Sequence, residues 1–389
     1  MKQYFVDMHI HIGRTFTGKP VKITAAKSLT LTNILQTAKF PKGLDVIGII
    51  DCHSPEVIVE MEQLCDEGRL VEMEEGGFRF EGEVTLIPGT EMEVFDESCN
   101  GPIHLLAYFP AFKQLKEFSS WLSKRVTNNQ LSTQRVYEKA IIIQKKVKSL
   151  DGLFIPAHVF TPFKSLYGKG VRESLEEVLN PDLIDGIELG LSSNTTMADQ
   201  IDELHSFTFV SNSDAHSLPK MAREYQKMTL EGPTFQAVKK ALHGEDGNKI
   251  DANYGLNPFL GKYYRTACAK CFALKQEDEC VSCGSKKFTK GVSERIAELA
   301  EGGGKSSNHP ERPPYIHQVP LDFLPGLGPK TMEKLYSHFG SEMNILHRVS
   351  EKELKKVIKA ELADLIVKAR SGELQLEEGG GGRYGKVAK

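Results

Sequence analysis

Long apolar runs are missing from this 389-residue chain. None approaches the ~20 residues that a membrane helix needs, and the longest, such as 44–50, predict single buried strands. Strong net charge is missing as well: 49 basic residues against 52 acidic ones leave −3. That excludes a dominant histone-like basic surface but permits a local basic patch. Glycine and proline number 34 and 18, too few for a collagen-like or low-complexity chain. Cysteine is scarce outside one 16-residue window that holds four of the seven, a usage that fits a reduced compartment. The first eleven residues, MKQYFVDMHIH, are interrupted by Asp7, His9 and His11, so they do not read as a signal peptide, and a cytoplasmic protein is expected.

What is present is an ordinary globular composition, 40% apolar and 26% charged, long enough for two or three domains. Up to about residue 250, β-type runs (3–11, 45–53, 84–93, 103–109, 153–159, 186–191 and 208–216) alternate with helical patterns (111–124, 133–149, 174–179, 197–204 and 234–243). This alternation predicts a mainly parallel α/β sheet, with a small hairpin at 76–83. Residues 254–298 carry paired cysteines and basic residues without helical period. Residues 299–313 predict a flexible linker, 314–378 short amphipathic helices, and 379–389 a glycine-rich tail.

Eight of the twelve histidines precede residue 250. Six of them, His9, His11, His53, His104, His158 and His216, sit at or near the ends of predicted strands, with Asp7, Asp51, Glu91, Glu188 and Asp214. His9 and His11 are two apart on a strand, so both point to one side. Imidazoles and carboxylates crowded on one face need a cation between them, and zinc, manganese and iron accept such mixed ligands. A carboxylate such as Glu91 can bridge two ions about 3.5–4 Å apart, an arrangement that activates water.

In order along the chain, DMHIH, DCH, TEME, HLLAY, PAHVF, IELG and SDAH resemble the polymerase and histidinol phosphatase (PHP) superfamily. The resemblance implies a distorted (β/α)7 barrel over 1–250 with two or three divalent metals (Zn, Mn, Fe or Mg). His9, His11, Glu91 and Asp214 would hold one, and Glu91, His104 and His158 a second. His53 and His216 would serve a third. There a usual histidine is replaced by Thr15, and Asp51 would substitute. Glu91, Asp214 and Asp51 would be the catalytic carboxylates. Asp7 and Glu188 would orient imidazoles.

Cys268, Cys271, Cys280 and Cys283 form two CxxC pairs, the spacing of a structural tetrahedral zinc with no open position. Lys286 and Lys287 belong to a basic, aromatic surround suited to phosphates and bases. Residues 320–340 resemble a helix-hairpin-helix motif. Gly326, Leu327 and Gly328 would form its hairpin, and Lys330 and Lys334 its charge. Residues 350–374 look like a second copy without the glycines. From 312 to 389 thirteen basic residues face ten acidic ones.

Barrel, four-cysteine module and all-α helix-hairpin-helix end together resemble the endonuclease Q family. The resemblance implies a metal-dependent, nucleoid-associated DNA repair endonuclease. It would cut duplex DNA 5′ of deaminated bases (hypoxanthine, uracil, xanthine) and abasic sites, leaving 3′-hydroxyl and 5′-phosphate. Single-stranded DNA, a sliding clamp or a repair helicase would be further partners, though no residues here speak to the last two. A loop past His158 offers Phe163 and Tyr167 for stacking on an extruded base, and Lys164 and Lys169 for a phosphate. Two alternatives use the same barrel: a phosphoesterase acting on a small phosphorylated metabolite, and a non-catalytic DNA-binding accessory factor.

Overall fold

The structure is a computed structural model and describes residues 1–302, 310–374, 376–377 and 386–387. Ten strands occupy the first 210 residues: β1 (Lys2–Ile10), β2 (Val46–Ile49), β3 (Leu70–Glu72), β4 (Phe78–Phe80), β5 (Val84–Val94), β6 (Ile103–Tyr108), β7 (Arg135–Val136), β8 (Leu153–Pro156), β9 (Ile187–Glu188) and β10 (Phe209–Val210). Then come β11 (Tyr225–Leu230), β12 (Lys249–Gly255), β13 (Ala267–Cys268), β14 (Phe288–Thr289) and β15 (Tyr315–His317). Every residue of β2 and β6 is buried, so these strands are covered on both faces.

The sheet is mixed, which corrects the expectation of a mainly parallel one. β1 and β2 pair in parallel, as do β2 and β5. β5 with β6, and β6 with β8, are antiparallel, as are β1 with β11 and β11 with β12. Residues 95–102 are too few for the dozen or so that a parallel crossover requires, so β6 must turn back along β5. Hydrogen bonds continue the order past β8. Asp185 N–H bonds to Phe154 O and Val159 N–H to Glu188 O, and β9 pairs in parallel with β10. Ala215 N–H to His9 O and His11 N–H to Ala215 O return the chain to β1.

The helices are α1 (Leu31–Thr37), α2 (Pro55–Asp66), α3 (Phe112–Ser123), α4 (Ala140–Lys148), α5 (Thr195–Ala198), α6 (Phe235–His243) and α7 (Val292–Gly302). At the C-terminal end follow α8 (Pro329–Phe339), α9 (Glu342–His347), α10 (Glu351–Val357) and α11 (Ala360–Ser371). The pattern at 133–149 is helical only from Ala140. Its first part pairs Arg135 and Val136 with Glu93 and Val94, so a strand partner overrides helical propensity there. The patterns at 174–179 and 197–204 shrink to single turns.

Of the expected linker, residues up to 302 belong to α7, and 303–309 lie outside the described residues. Arg312 is tied down by Asp199 and by the carbonyls of Leu204 and Phe207. β15 pairs in parallel with β12 and so joins the main sheet. The helical end is docked by buried polar contacts. Lys42 Nζ meets Glu342 Oε2 at 2.7 Å, and Tyr225 Oη lies 2.6 Å from His347 Nε2. Burial holds His347 down to about 3, so its ring is neutral where it stacks on Phe5. Most of the expected tail lies outside the described residues; Lys386–Val387 pairs with Leu376–Glu377. Among the described residues no helix is long and apolar enough to cross a membrane.

Candidate active site

Strand alternation puts Asp7, His9 and His11 on one side of β1, and all three are buried. The Nε2 of His9 lies 3.7 Å from Glu91 Oε1 and 3.5 Å from Asp214 Oδ1. His11 Nε2 is 3.6 Å from Glu91 Oε2 and 3.6 Å from Asp214 Oδ1. On the other side of Glu91, His158 Nε2 is 3.5 Å and His104 Nδ1 2.9 Å from Oε1. Ligand atoms of His9, His11 and Asp214, and of Glu91, His104 and His158, thus form two clusters, each within 4.8 Å. Two ligands of one tetrahedral ion with bonds of 2.0–2.1 Å stand about 3.3 Å apart, close to these separations.

The imidazoles are aimed from behind. His9 Nδ1 donates to Glu188 at 3.0 Å, and Glu188 also accepts from Asn212 Nδ2 (2.7 Å) and from His158 N–H (2.9 Å). His11 Nδ1 donates to Asp51 Oδ2 at 3.1 Å. Both rings are thereby locked with Nε2 facing inward. Asp214 and His158 adopt φ of +45° and +31°, left-handed values uncommon outside glycine. Gly190 makes room for one of them, since a Cβ there would stand 2.9 Å from His158 Cβ.

Electrostatics and hydrogen bonding both point to a cation. His9 Nε2, His104 Nδ1 and Nε2, and His158 Nδ1 are buried without a hydrogen-bond partner. Burial works to raise Glu91 and Asp214, yet the surrounding imidazoles hold both well below the usual carboxylate range. For His9, burial lowers the pKa, but Glu188, Asp214 and Glu91 outweigh it and raise it to about 10. Without a metal the carboxylates pull a proton onto His9; a divalent ion would replace that proton.

Beside the cage opens a cavity of about 280 Å³, lined by Asp214, His216, Arg223, Lys262 and Tyr263 among others. Arg223 is fixed against the carbonyls of Ser213 and Asp214. Lys262 and Tyr263 also line a second cavity of about 360 Å³, with Phe163, Arg265 and Phe272. Phe163 and Phe272 are both largely exposed.

The four cysteines converge too. Cys268 and Cys283 sulfurs are 3.6 Å apart, and those of Cys271 and Cys280 are 3.4 Å apart. These are far beyond a 2.05 Å disulfide and close to the ~3.8 Å spacing around a tetrahedral zinc with 2.3 Å bonds. Each CxxC forms the same turn: Phe272 N–H bonds to Cys268 O, and Gly284 N–H to Cys280 O. Phe272 and Gly284, at the matching positions, share φ of +65° and +68°.

No family model matches the chain. The uncharacterized protein YqxK of Bacillus subtilis (strain 168) is 52% identical over 389 residues, all of both chains. MJ0043 of Methanocaldococcus jannaschii is 38% identical over 256 residues, 59% of this chain and 31% of that protein. Among solved structures, the lesion-specific endonuclease PfuEndoQ from Pyrococcus furiosus superposes with a TM-score of 0.84 at 31% identity, covering 99% of this chain and 95% of that one. An endonuclease Q complex with a 27-mer duplex substrate, an abasic lesion at its active site, gives the same score and identity over 99% and 96%. The chain belongs to the endonuclease Q family.

Family membership makes it an enzyme, a metal-dependent endonuclease, and sets aside the non-catalytic accessory factor. Other expectations need correction within this endonuclease Q scaffold. Asp51 stands behind His11: its Oδ2 also accepts Ile12 N–H at 2.7 Å, while Oδ1 is buried without a hydrogen-bond partner. His53 faces Thr90 Oγ1 at 2.8 Å and Leu131 O at 3.4 Å with its two ring nitrogens. His216 stacks on His11, with Nε2 4.0 Å from Asp214 Oδ1. Asp7 clamps backbone, accepting from Ser213 and Ala222 N–H, and orients no imidazole ring.

In the loop past His158, Tyr167 is fully buried and bonded to Glu203, so it cannot stack on a base. Lys164 pairs with Glu93 at 2.7 Å, and Lys169 is exposed but lines neither cavity. Sequence reasoning missed Glu93, Lys22 and Arg223. Glu93 had a signal: it is two residues from Glu91 on β5, hence on the same side, and its Oε2 is 3.7 Å from His104 Nε2.

At the other end of this family member, the first helix of the expected hairpin is a single turn, Leu321–Phe323. Gly326 (φ +86°) and Gly328 are exposed, Leu327 is buried between them, and Gly328 caps α8. Lys330 and Lys334 are exposed on α8, and Lys286 and Lys287 on the cysteine segment.

Proposed function

We propose that this chain nicks duplex DNA 5′ of deaminated bases (hypoxanthine, uracil and xanthine) and of abasic sites, leaving a 3′-hydroxyl and a 5′-phosphate. One observation carries the reading: a cage of inward-facing imidazoles and carboxylates opens beside a cationic cavity that shares Lys262 and Tyr263 with an aromatic one. In this reading β1, β2, β5, β6, β8, β9 and β10 form the distorted (β/α)7 barrel of residues 1–250. A structural zinc on Cys268, Cys271, Cys280 and Cys283 holds together the module of 254–298, and residues 314–378 supply the helix-hairpin-helix end.

His9, His11 and Asp214 would hold one divalent ion and Glu91, His104 and His158 a second. Bound there, such ions supply Lewis-acidic stabilisation of a phosphoryl group and lower the pKa of water. The chain's own residues do the rest. Glu188 and Asp51 keep the imidazoles aimed. Arg223 and Lys262 meet the oxygens of the phosphate beside the lesion. Phe163, Tyr263 and Phe272 form the walls against which an extruded base stacks.

The test is a nicking assay on duplexes bearing one deoxyinosine, deoxyuridine or abasic site, mapped to single nucleotides. Cutting at the phosphodiester 5′ of each lesion, with undamaged duplex intact, is expected. Asp214→Ala should abolish nicking while the chain still folds and binds DNA. Cutting of undamaged duplex at equal rate, or none at all, would refute the reading.

A further inference from the structure

The aromatic cavity is walled by two stretches of chain far apart in sequence. Phe163 comes from the loop past His158, whereas Lys262, Tyr263, Arg265, Cys268 and Phe272 come from the cysteine segment and its entry. The rings of Phe163 and Tyr263 meet edge to face, with centroids 5.5 Å apart. The width of this cavity is therefore set by whatever holds the two stretches together.

Each stretch is stiff by itself. In the loop, Ser165 is fully buried. Its hydroxyl donates to Thr161 O and accepts Gly168 N–H, and its carbonyl accepts the N–H groups of Lys169 and Gly170. A Cβ on Gly168 would stand 1.9 Å from Thr161 O, so a glycine is needed for the loop to close this tightly. In the cysteine segment, entry and exit are bonded to each other. Val292 N–H bonds to Tyr263 O at 2.9 Å, Thr266 N–H to Glu294 Oε1 at 3.2 Å, and Gly291 N–H to Thr266 Oγ1 at 2.9 Å.

Arg295, in the first turns of α7, joins the two. Its Nε donates to Tyr167 O at 2.8 Å, and its Nη2 donates to Val171 O at 3.2 Å and to Arg172 O at 2.6 Å. The side chain is only 19% exposed. A guanidinium is a planar fork whose donors are fixed relative to one another, so three carbonyls around it fix where α7 sits against the loop. Val292 passes that placement to Tyr263, and the knotted loop passes it to Phe163. Arg295 itself lines neither cavity.

We propose that Arg295 is a positioning residue that sets the width of the aromatic cavity, and with it how well a base, as opposed to a bare sugar, is seated beside the cage. The inference rests on the lesion reading above. It is tested on the full-length, zinc-loaded chain with duplexes bearing one deoxyinosine, one deoxyuridine or one abasic site. For Arg295→Ala, kcat/KM on the two base lesions should fall about 10–100-fold, as for a misplaced binding wall, while the abasic duplex stays within about two-fold of the wild type. Arg295→Lys, which can still serve one carbonyl, should restore part of the loss. Should Arg295→Ala lack a native melting transition, Arg295→Gln, which keeps an N–H₂ donor, takes its place. An equal fall on all three duplexes would mean a merely structural role and overturn the proposal, as would no change on any of them. A wild type that nicks none of the three would sink the lesion reading and this inference with it, whereas a wild type that nicks all three beside variants that match it sinks the inference alone.

Discussion

At the scale of single residues, Glu188 shows how much one carboxylate does from behind the cage. It accepts from His9, His158 and Asn212, which come from three separate stretches of chain. Glu188→Gln would set an amide N–H₂ against donors that need an acceptor. A fall of about 10–100-fold in barrel metal affinity is expected, read by metal titration of the full chain. Glu224 has a different consequence. It is buried, within hydrogen-bond reach of Ser211 Oγ and accepting Leu256 N–H at 3.0 Å, and burial raises it to about 8. The folded chain keeps this proton up to about pH 8, whereas the unfolded chain loses it near 4.5. Its contribution to stability therefore declines as pH rises between those values. Glu224→Gln should flatten that part of a melting-temperature profile, and an unchanged slope would refute the assignment. The residues that gather at the cage were legible because they recur at strand ends; their engagement was not. Nothing near His53 in sequence announces Thr90 or Leu131, and nothing in the loop past His158 separates buried Tyr167 from exposed Phe163.

At the scale of elements, β1, β2, β5 and β6 were readable within a few residues because continuous apolar runs have few other uses. Their directions were not, since direction depends on what each connection can span. The same limit hid β15, three residues that only a neighbour makes into a strand. Docking of the helical end depends on another pairing that sequence separation concealed, Lys42 with Glu342, whose side chains are 8% and 3% exposed. Lys42→Met leaves a buried carboxylate alone. A loss of about 3–5 kcal/mol is expected, measured by urea unfolding, with Lys42→Met/Glu342→Leu recovering much of it. Equal destabilisation by the single and double variants would argue against a coupled pair.

At the scale of the whole molecule, the surface for DNA is spread over parts far apart in sequence. Exposed Lys330 and Lys334 stand on α8, whose first turn offers the positive end of a helix, while the cage lies in the barrel. These lysines are expected to contact phosphates and not bases. Replacing either by alanine should weaken binding alike on damaged and undamaged duplex. It should also reduce the slope of log affinity against log salt by about 0.9. Fluorescence anisotropy over a salt series measures both, and a selective loss on lesion DNA would contradict the assignment. The cage closes only when Asp214, more than 200 residues after His9, swings its left-handed turn against β1. A chain still emerging from the ribosome thus holds the early ligands without the last, and cutting power arrives only once the barrel is threaded shut.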